Sequence, residues 1–187
     1  DGQPWDFANA NDSHRRITES SPVIAVPTTA GTGSEVTALA VISFRGKGSY
    51  PDSPLKATLV GEGLHPKIAL IDPELTLGKP ANVTAACAAD ALLQAVEACL
   101  SRRANPVSSV LAGRAACLVF HSLKAALANP QDVAARAELA LAASLSGAAY
   151  DVTGLTVAHA LSHALAAVFG IPHALAVALA GPPALRF

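Results

Sequence analysis

The sequence predicts an α/β segment followed by an all-α segment, and two observations carry this. Before about residue 80, short apolar runs at 23–26 and 68–71 are bounded by Pro, Gly and Asp, as buried strands are. After Pro80 the chain turns rich in Ala and Leu, and Asn-Pro pairs at 105–106 and 129–130 punctuate it as successive helices are punctuated. Aromatic residues are only 4% of the 187, so these helices are expected to pack closely through small side chains.

Taken in order, residues 1–20 are polar and without periodicity, which predicts irregular structure. Residues 23–26 form a strand ended by Pro27 and lead into a turn rich in Gly and hydroxyls, Thr28-Thr29-Ala30-Gly31-Thr32-Gly33-Ser34-Glu35. Strand composition returns at 36–43, a Gly/Ser/Pro-rich loop follows at 45–54, and a strand at 68–71 ends at Asp72-Pro73. Asn82 or Thr84 is expected to cap a helix reaching about residue 100. Further helices are expected at 107–127, 131–149, 155–169 and 172–180.

The net charge of −1 and the scatter of basic residues exclude an electrostatic footprint for nucleic acid. The three cysteines, Cys87, Cys99 and Cys117, lack metal-finger spacing and read as reduced core thiols of a cytoplasmic protein. The polar N-terminus shows no secretory pattern. Residues 152–185 contain no Asp, Glu, Lys or Arg, but Gly170 and Pro172 divide them into pieces too short to span a bilayer. Two helices buried in a protein core fit this segment better, and no membrane partner is expected.

Within that uncharged segment sit His159, His163 and His173. Imidazoles in apolar surroundings need a hydrogen-bond partner or a ligand. His159 and His163 share a helix face, and the break at 170–172 returns the chain so that His173 can meet them. Asp90 and Gln94 share a face of an earlier helix, with Glu97 close to the same line and read as structural. A carboxylate and several imidazoles suit a divalent metal, and spacing leaves open which histidines ligate. The Gly/Thr turn could bring its backbone against a phosphate, but an ordinary loop has the same composition. The turn matches neither G-x-G-x-x-G nor a Walker A sequence.

Together these segments resemble the iron-containing (group III) alcohol dehydrogenase family. The resemblance runs through residues 27–37, Ile71-Asp72-Pro73-Glu74-Leu75-Thr76, Asp90-Ala91-Leu92, residues 101–106, and the stretch from Gly154-Leu155 through His159 and His163 to Pro172-His173. It implies that residues 1–80 are the end of a Rossmann-like nucleotide-binding domain and 81–187 a helical metal-binding domain. It implies NAD(P) and Fe²⁺ or Zn²⁺ as cofactors, with Asp90, Gln94, His159 and His173 at the metal positions. His163 falls near the nicotinamide as a catalytic candidate. Thr28, Thr29, Gly31, Thr32, Gly33 and Ser34 fall where the family lines the cofactor, and Lys56 falls on a lysine beside it. The implied reaction is hydride transfer between NAD(P)H and a small alcohol or aldehyde, in a homodimer or larger homo-oligomer.

Two departures stand out. Gln94 occupies a position where many members have His, and an amide oxygen is a weaker ligand. Members are also about twice as long, and their Gly-Gly-Gly-Ser turn is absent here. A metal-independent reductase of the maleylacetate-reductase kind, or a non-catalytic binding module, is therefore also compatible with the sequence.

Overall fold

In the computed structural model, described over residues 2–10, 15–45 and 55–186, short strands precede five helices. β1 (Ile24–Ala25) pairs in parallel with β4 (Ile68–Ala69). β2 (Leu39–Phe44) pairs antiparallel with β3 (Leu55–Val60), from Leu39 opposite Val60 to Phe44 opposite Leu55. β3 was not expected from the sequence, because Leu-Lys-Ala-Thr-Leu-Val alternates only weakly and its partner lies across a connection. The expected loop at 45–54 lies, apart from Arg45, outside the described residues. The N-terminal residues are more ordered than their polarity suggests. Pro4–Phe7 form a 3₁₀ turn, and Trp5, Phe7 and Ala8 pack on Ala57 and Leu59 of the hairpin.

The helices are α1 (Ala81–Leu100), α2 (Pro106–Ala128), α3 (Val133–Thr153), α4 (Val157–Phe169) and α5 (His173–Ala184). α1 starts earlier than expected, with Pro80 at its N-cap, so neither Asn82 nor Thr84 caps it. Proline's fixed φ begins the helix without a side-chain acceptor. Thr84 instead accepts a hydrogen bond from Arg136 Nη1 at 2.7 Å. Asn105 caps α2 through Val107 and Ser108. α5 runs on through Pro182 and Pro183, which withhold N–H donors only from its last turn.

α1, α2 and α3 pack against one another, and α5 packs against both α1 and α4. Their core is built largely from alanines, among them Ala91, Ala95, Ala98, Ala112, Ala115, Ala142 and Ala149, with Leu118, Val119 and Leu139. Small side chains let helix backbones approach closely. α1 and α2 are long and apolar enough to cross a bilayer, yet α1 carries Asp90, Gln94 and Glu97 buried among its neighbours. Cys99 and Cys117 are exposed and Cys87 is half-buried, so the cysteines are not core thiols as expected. α3 and α4 meet at 104° through Gly154.

The Gly/Thr turn after β1 rests on α3. Gly33 has φ +64°, and a Cβ there would lie 2.3 Å from the Ala143 carbonyl oxygen and 2.8 Å from Gly147 Cα. Tyr150 donates to the Thr32 carbonyl (2.8 Å), and Ser144 donates to Glu35 (2.6 Å). Gly33→Ala is therefore expected to cost about 2–4 kcal/mol, from the left-handed backbone plus the overlap with α3. Gly113→Ala, on the open face of α2 with nothing within 4 Å of the added carbon, should gain about 0.5–1 kcal/mol. Equilibrium urea unfolding of the two variants should give opposite signs. Equal effects would show that the turn is not seated on α3.

Candidate metal centre

Helix periodicity places Asp90, Gln94 and Glu97 on the buried face of α1, opposite the start of α4. His159 of α4 lies between two carboxylates. Its Nε2 is 3.1 Å from Asp90 Oδ1, and its Nδ1 is hydrogen-bonded to Glu97 Oε2. Gly170, with φ +66°, ends α4 and turns the chain back, so that α5 opens at His173. The His173 ring lies 5.9 Å from that of His159 and 5.7 Å from that of His163.

Ligand atoms of Asp90, His159 and His173 all fall within 4.8 Å of one another. Asp90 Oδ2 and His173 Nδ1 are buried without a hydrogen-bond partner. Orphaned buried polar atoms of this kind are costly, and a shared cation would satisfy both. The donor set, one carboxylate and two imidazoles, suits Fe²⁺ or Zn²⁺. Gln94 is buried on the same helix, but its amide oxygen accepts from Ser146 Oγ of α3 at 2.9 Å. The fold therefore gathers three of the four expected donors and gives the fourth another partner.

His163 is half-buried beside His173. Burial, with the charges of His173, Lys56 and His159, pushes its imidazole down to about 4, so it is neutral at pH 7. Lys56 of β3 also acts on His173, whose value is lowered mainly by burial. Lys56 thus lies close enough to His163 and His173 to act on both electrostatically. In the turn, Thr28, Thr32 and Ser34 are exposed, whereas Gly31 and Gly33 are buried against α1 and α3. The missing glycine side chains therefore make room for helices, and the hydroxyls at 28, 32 and 34 face outward. Thr29 lines a cavity with Thr76, Lys79, Thr84, Cys87 and Arg136. None of these residues belongs to the histidine cluster.

The sequence marks Glu97 as structural, and the geometry gives it more. Burial alone would raise its carboxyl, but hydrogen bonds from His159, Thr156 and Ala158 hold it lower. Its position on the Asp90 face was visible in the sequence; its partner on α4 was not.

Burial opposes a charge on His159, yet the hydrogen bonds to Asp90 and Glu97 outweigh it and raise the imidazole to about 9. A raised value in the folded state stabilises fully below the unfolded value near 6.5, and that gain is lost as pH rises through about 9. In chelator-treated protein this contribution is on the order of 2–3 kcal/mol. Denaturant titrations at pH 6.5 and 9.5 should show the loss, and Asp90→Asn should reduce it. An Asp90→Asn slope equal to that of the parent would rule out the carboxylate as its source.

Comparison with known proteins converges on one family. Residues 1–73 match iron-containing alcohol dehydrogenases, and residues 84–187 match the C-terminal region of the Fe-containing alcohol dehydrogenase family. The chain is 41% identical to the 1-propanol dehydrogenase PduQ of Salmonella typhimurium over 88% of its own length and 43% of the relative's. It is 36% identical to the NAD-dependent methanol dehydrogenase of Bacillus methanolicus, over 93% of its length and 43% of the relative's. The crystal structure of sulfoacetaldehyde reductase from Bifidobacterium kashiwanohense in complex with NAD⁺ superposes with a TM-score of 0.87 at 36% identity, over 100% of this chain and 47% of that one. The chain thus spans less than half the length of these relatives. On matching signatures along nearly its whole length and a shared fold, it belongs to the iron-containing alcohol dehydrogenase family.

Proposed function

We propose that this chain supplies the metal-binding helical part, and a strip of the cofactor platform, of an NAD(P)-linked alcohol dehydrogenase or aldehyde reductase. In this reading residues 1–80 complete a Rossmann-like domain and 81–187 hold the metal. The observation that carries it is the Asp90–His159–His173 cluster, with Asp90 Oδ2 and His173 Nδ1 buried and unpaired. The exposed apolar side chains of Ile24 and Ile68 in the β1–β4 pair, and of Leu70 just after β4, support a larger sheet, since parallel strands are normally covered on both faces. The relatives, a 1-propanol dehydrogenase and a methanol dehydrogenase, support a small alcohol or the corresponding aldehyde.

When bound, a divalent ion polarises the substrate oxygen and the nicotinamide carries the hydride. The chain's own groups do the rest. Asp90, His159 and His173 would hold the ion. His163, half-buried with its ring 5.7 Å from that of His173, stands where it can relay the alcohol proton or orient the cofactor ribose. The outward hydroxyls of Thr28, Thr32 and Ser34 offer donors to a phosphate or ribose, and Lys56 supplies positive charge near the reacting end. A metal-independent reductase is the second reading, because Gln94 is engaged by Ser146 and His159 is already satisfied by two carboxylates.

Removing metal with a chelator should abolish NADH-linked aldehyde reduction by the protein carrying this chain, and Fe²⁺ or Zn²⁺ should restore it. Gln94→His should tighten Zn²⁺ binding by roughly tenfold or more, read by calorimetry. Full activity after complete metal removal would favour the second reading.

A further inference from the structure

We propose that Glu97 is the positioning residue of this centre, fixing the ring of His159 from α1 while closing the first turn of α4. The proposal deepens the metal-site reading and rests on it.

α4 begins at Val157 with Thr156 at its N-cap, and Thr156 makes no side-chain cap of its own. The first turn of a helix leaves backbone N–H groups without intrahelical partners. Glu97 Oε1 fills that role from another helix. It accepts from the Ala158 N–H at 2.8 Å and from the Thr156 hydroxyl. A negative charge at a helix N-terminus is favourable in its own right. Capping alone would need only this one oxygen. The second, Oε2, is directed to His159 Nδ1, while His159 Nε2 faces Asp90.

This arrangement has a chemical consequence. With Nδ1–H donated to Glu97, Nε2 is the nitrogen that turns toward Asp90 and His173. A carboxylate behind a ligating imidazole sets its tautomer and orientation and raises its basicity. Glu97 and His159 are both buried, so their contact is shielded from bulk solvent. The same carboxylate ties the entry of α4 to α1, which keeps ligands from distant parts of the chain in one register.

Three variants test this. Glu97→Gln keeps the shape and one acceptor, but with Oε1 held by Ala158 and Thr156 it turns an amide N–H₂ toward Nδ1. Glu97→Asp keeps the charge on a shorter stem. Thr156→Val removes a capping contact and leaves the His159 contact intact. In histidine-labelled, metal-free chain, NMR should show a slowly exchanging His159 Nδ1–H resonance. Glu97→Gln should lose it and Thr156→Val should keep it. Zn²⁺ calorimetry should show a loss of roughly 10–100-fold in Glu97→Gln, partial recovery in Glu97→Asp, and a change under about twofold in Thr156→Val despite a lower Tm. Parent-like resonance and affinity in Glu97→Gln would overturn the proposal, as would equal affinity losses in Glu97→Gln and Thr156→Val. Should Glu97→Gln not fold, a Glu97→Asp affinity equal to that of Thr156→Val would overturn it too. If the parent binds no Zn²⁺ while Glu97→Gln still loses the resonance, the metal reading falls and the positioning of His159 stands.

Discussion

Burying two carboxylates on one helix face is expensive unless each meets a donor or a cation, since the effective penalty is several kcal/mol per ion. Asp90 and Glu97 are both almost fully buried on α1, and a single imidazole, His159, lies between them. This three-group contact constrains the architecture around it. α4 must start where Glu97 can reach Thr156 and Ala158. α3 must then meet α4 at a steep angle, which Gly154 with φ +70° permits. α5 must return after Gly170 so that His173 comes within 4.8 Å of the Asp90 and His159 ligand atoms.

The alanine-rich core serves this geometry. A core of large side chains would hold α1, α2 and α3 further apart, and hydrogen-bonding between helices needs short separations. Ser146 of α3 reaches Gln94, and Arg136 of α3 reaches Thr84, both on α1. The Gly33–Gly147 contact applies the same principle to the turn, which lies backbone to backbone on α3. The turn is thereby referenced to the same helix bundle that holds the histidines.

Much of this was legible in the sequence, because helical periodicity and Pro/Gly punctuation are local signals. The five helices and the break at 170–172 followed from them, whereas the pairing of Asp90 with His159 and His173 came from the family resemblance, since spacing left the histidines equivalent. The failures have non-local causes. β3 is defined by its pairing with β2 and not by its own pattern. The start of α1 is set by Pro80, whereas capping rules look for a side-chain acceptor. Glu97 was placed correctly on its face, but its partner is 62 positions away. The glycines of the turn pointed toward a phosphate by composition, and in the fold their open sides meet α1 and α3. Gln94 read as a weak ligand because nothing local reveals Ser146 beside it.

The order in which the site's parts are made has its own consequence. Asp90 precedes His159 by 69 positions. At translation rates of about 5–20 residues per second, α1 waits several seconds for its imidazole. During that interval α1 can pair with α2 and α3 through alanine faces, but its two acids have no counter-charge and must stay hydrated. The carboxylate–imidazole contact itself can form only once α4 has been synthesised. A nascent chain stopped short of α4 would therefore keep the Asp90 and Glu97 face of α1 open to water.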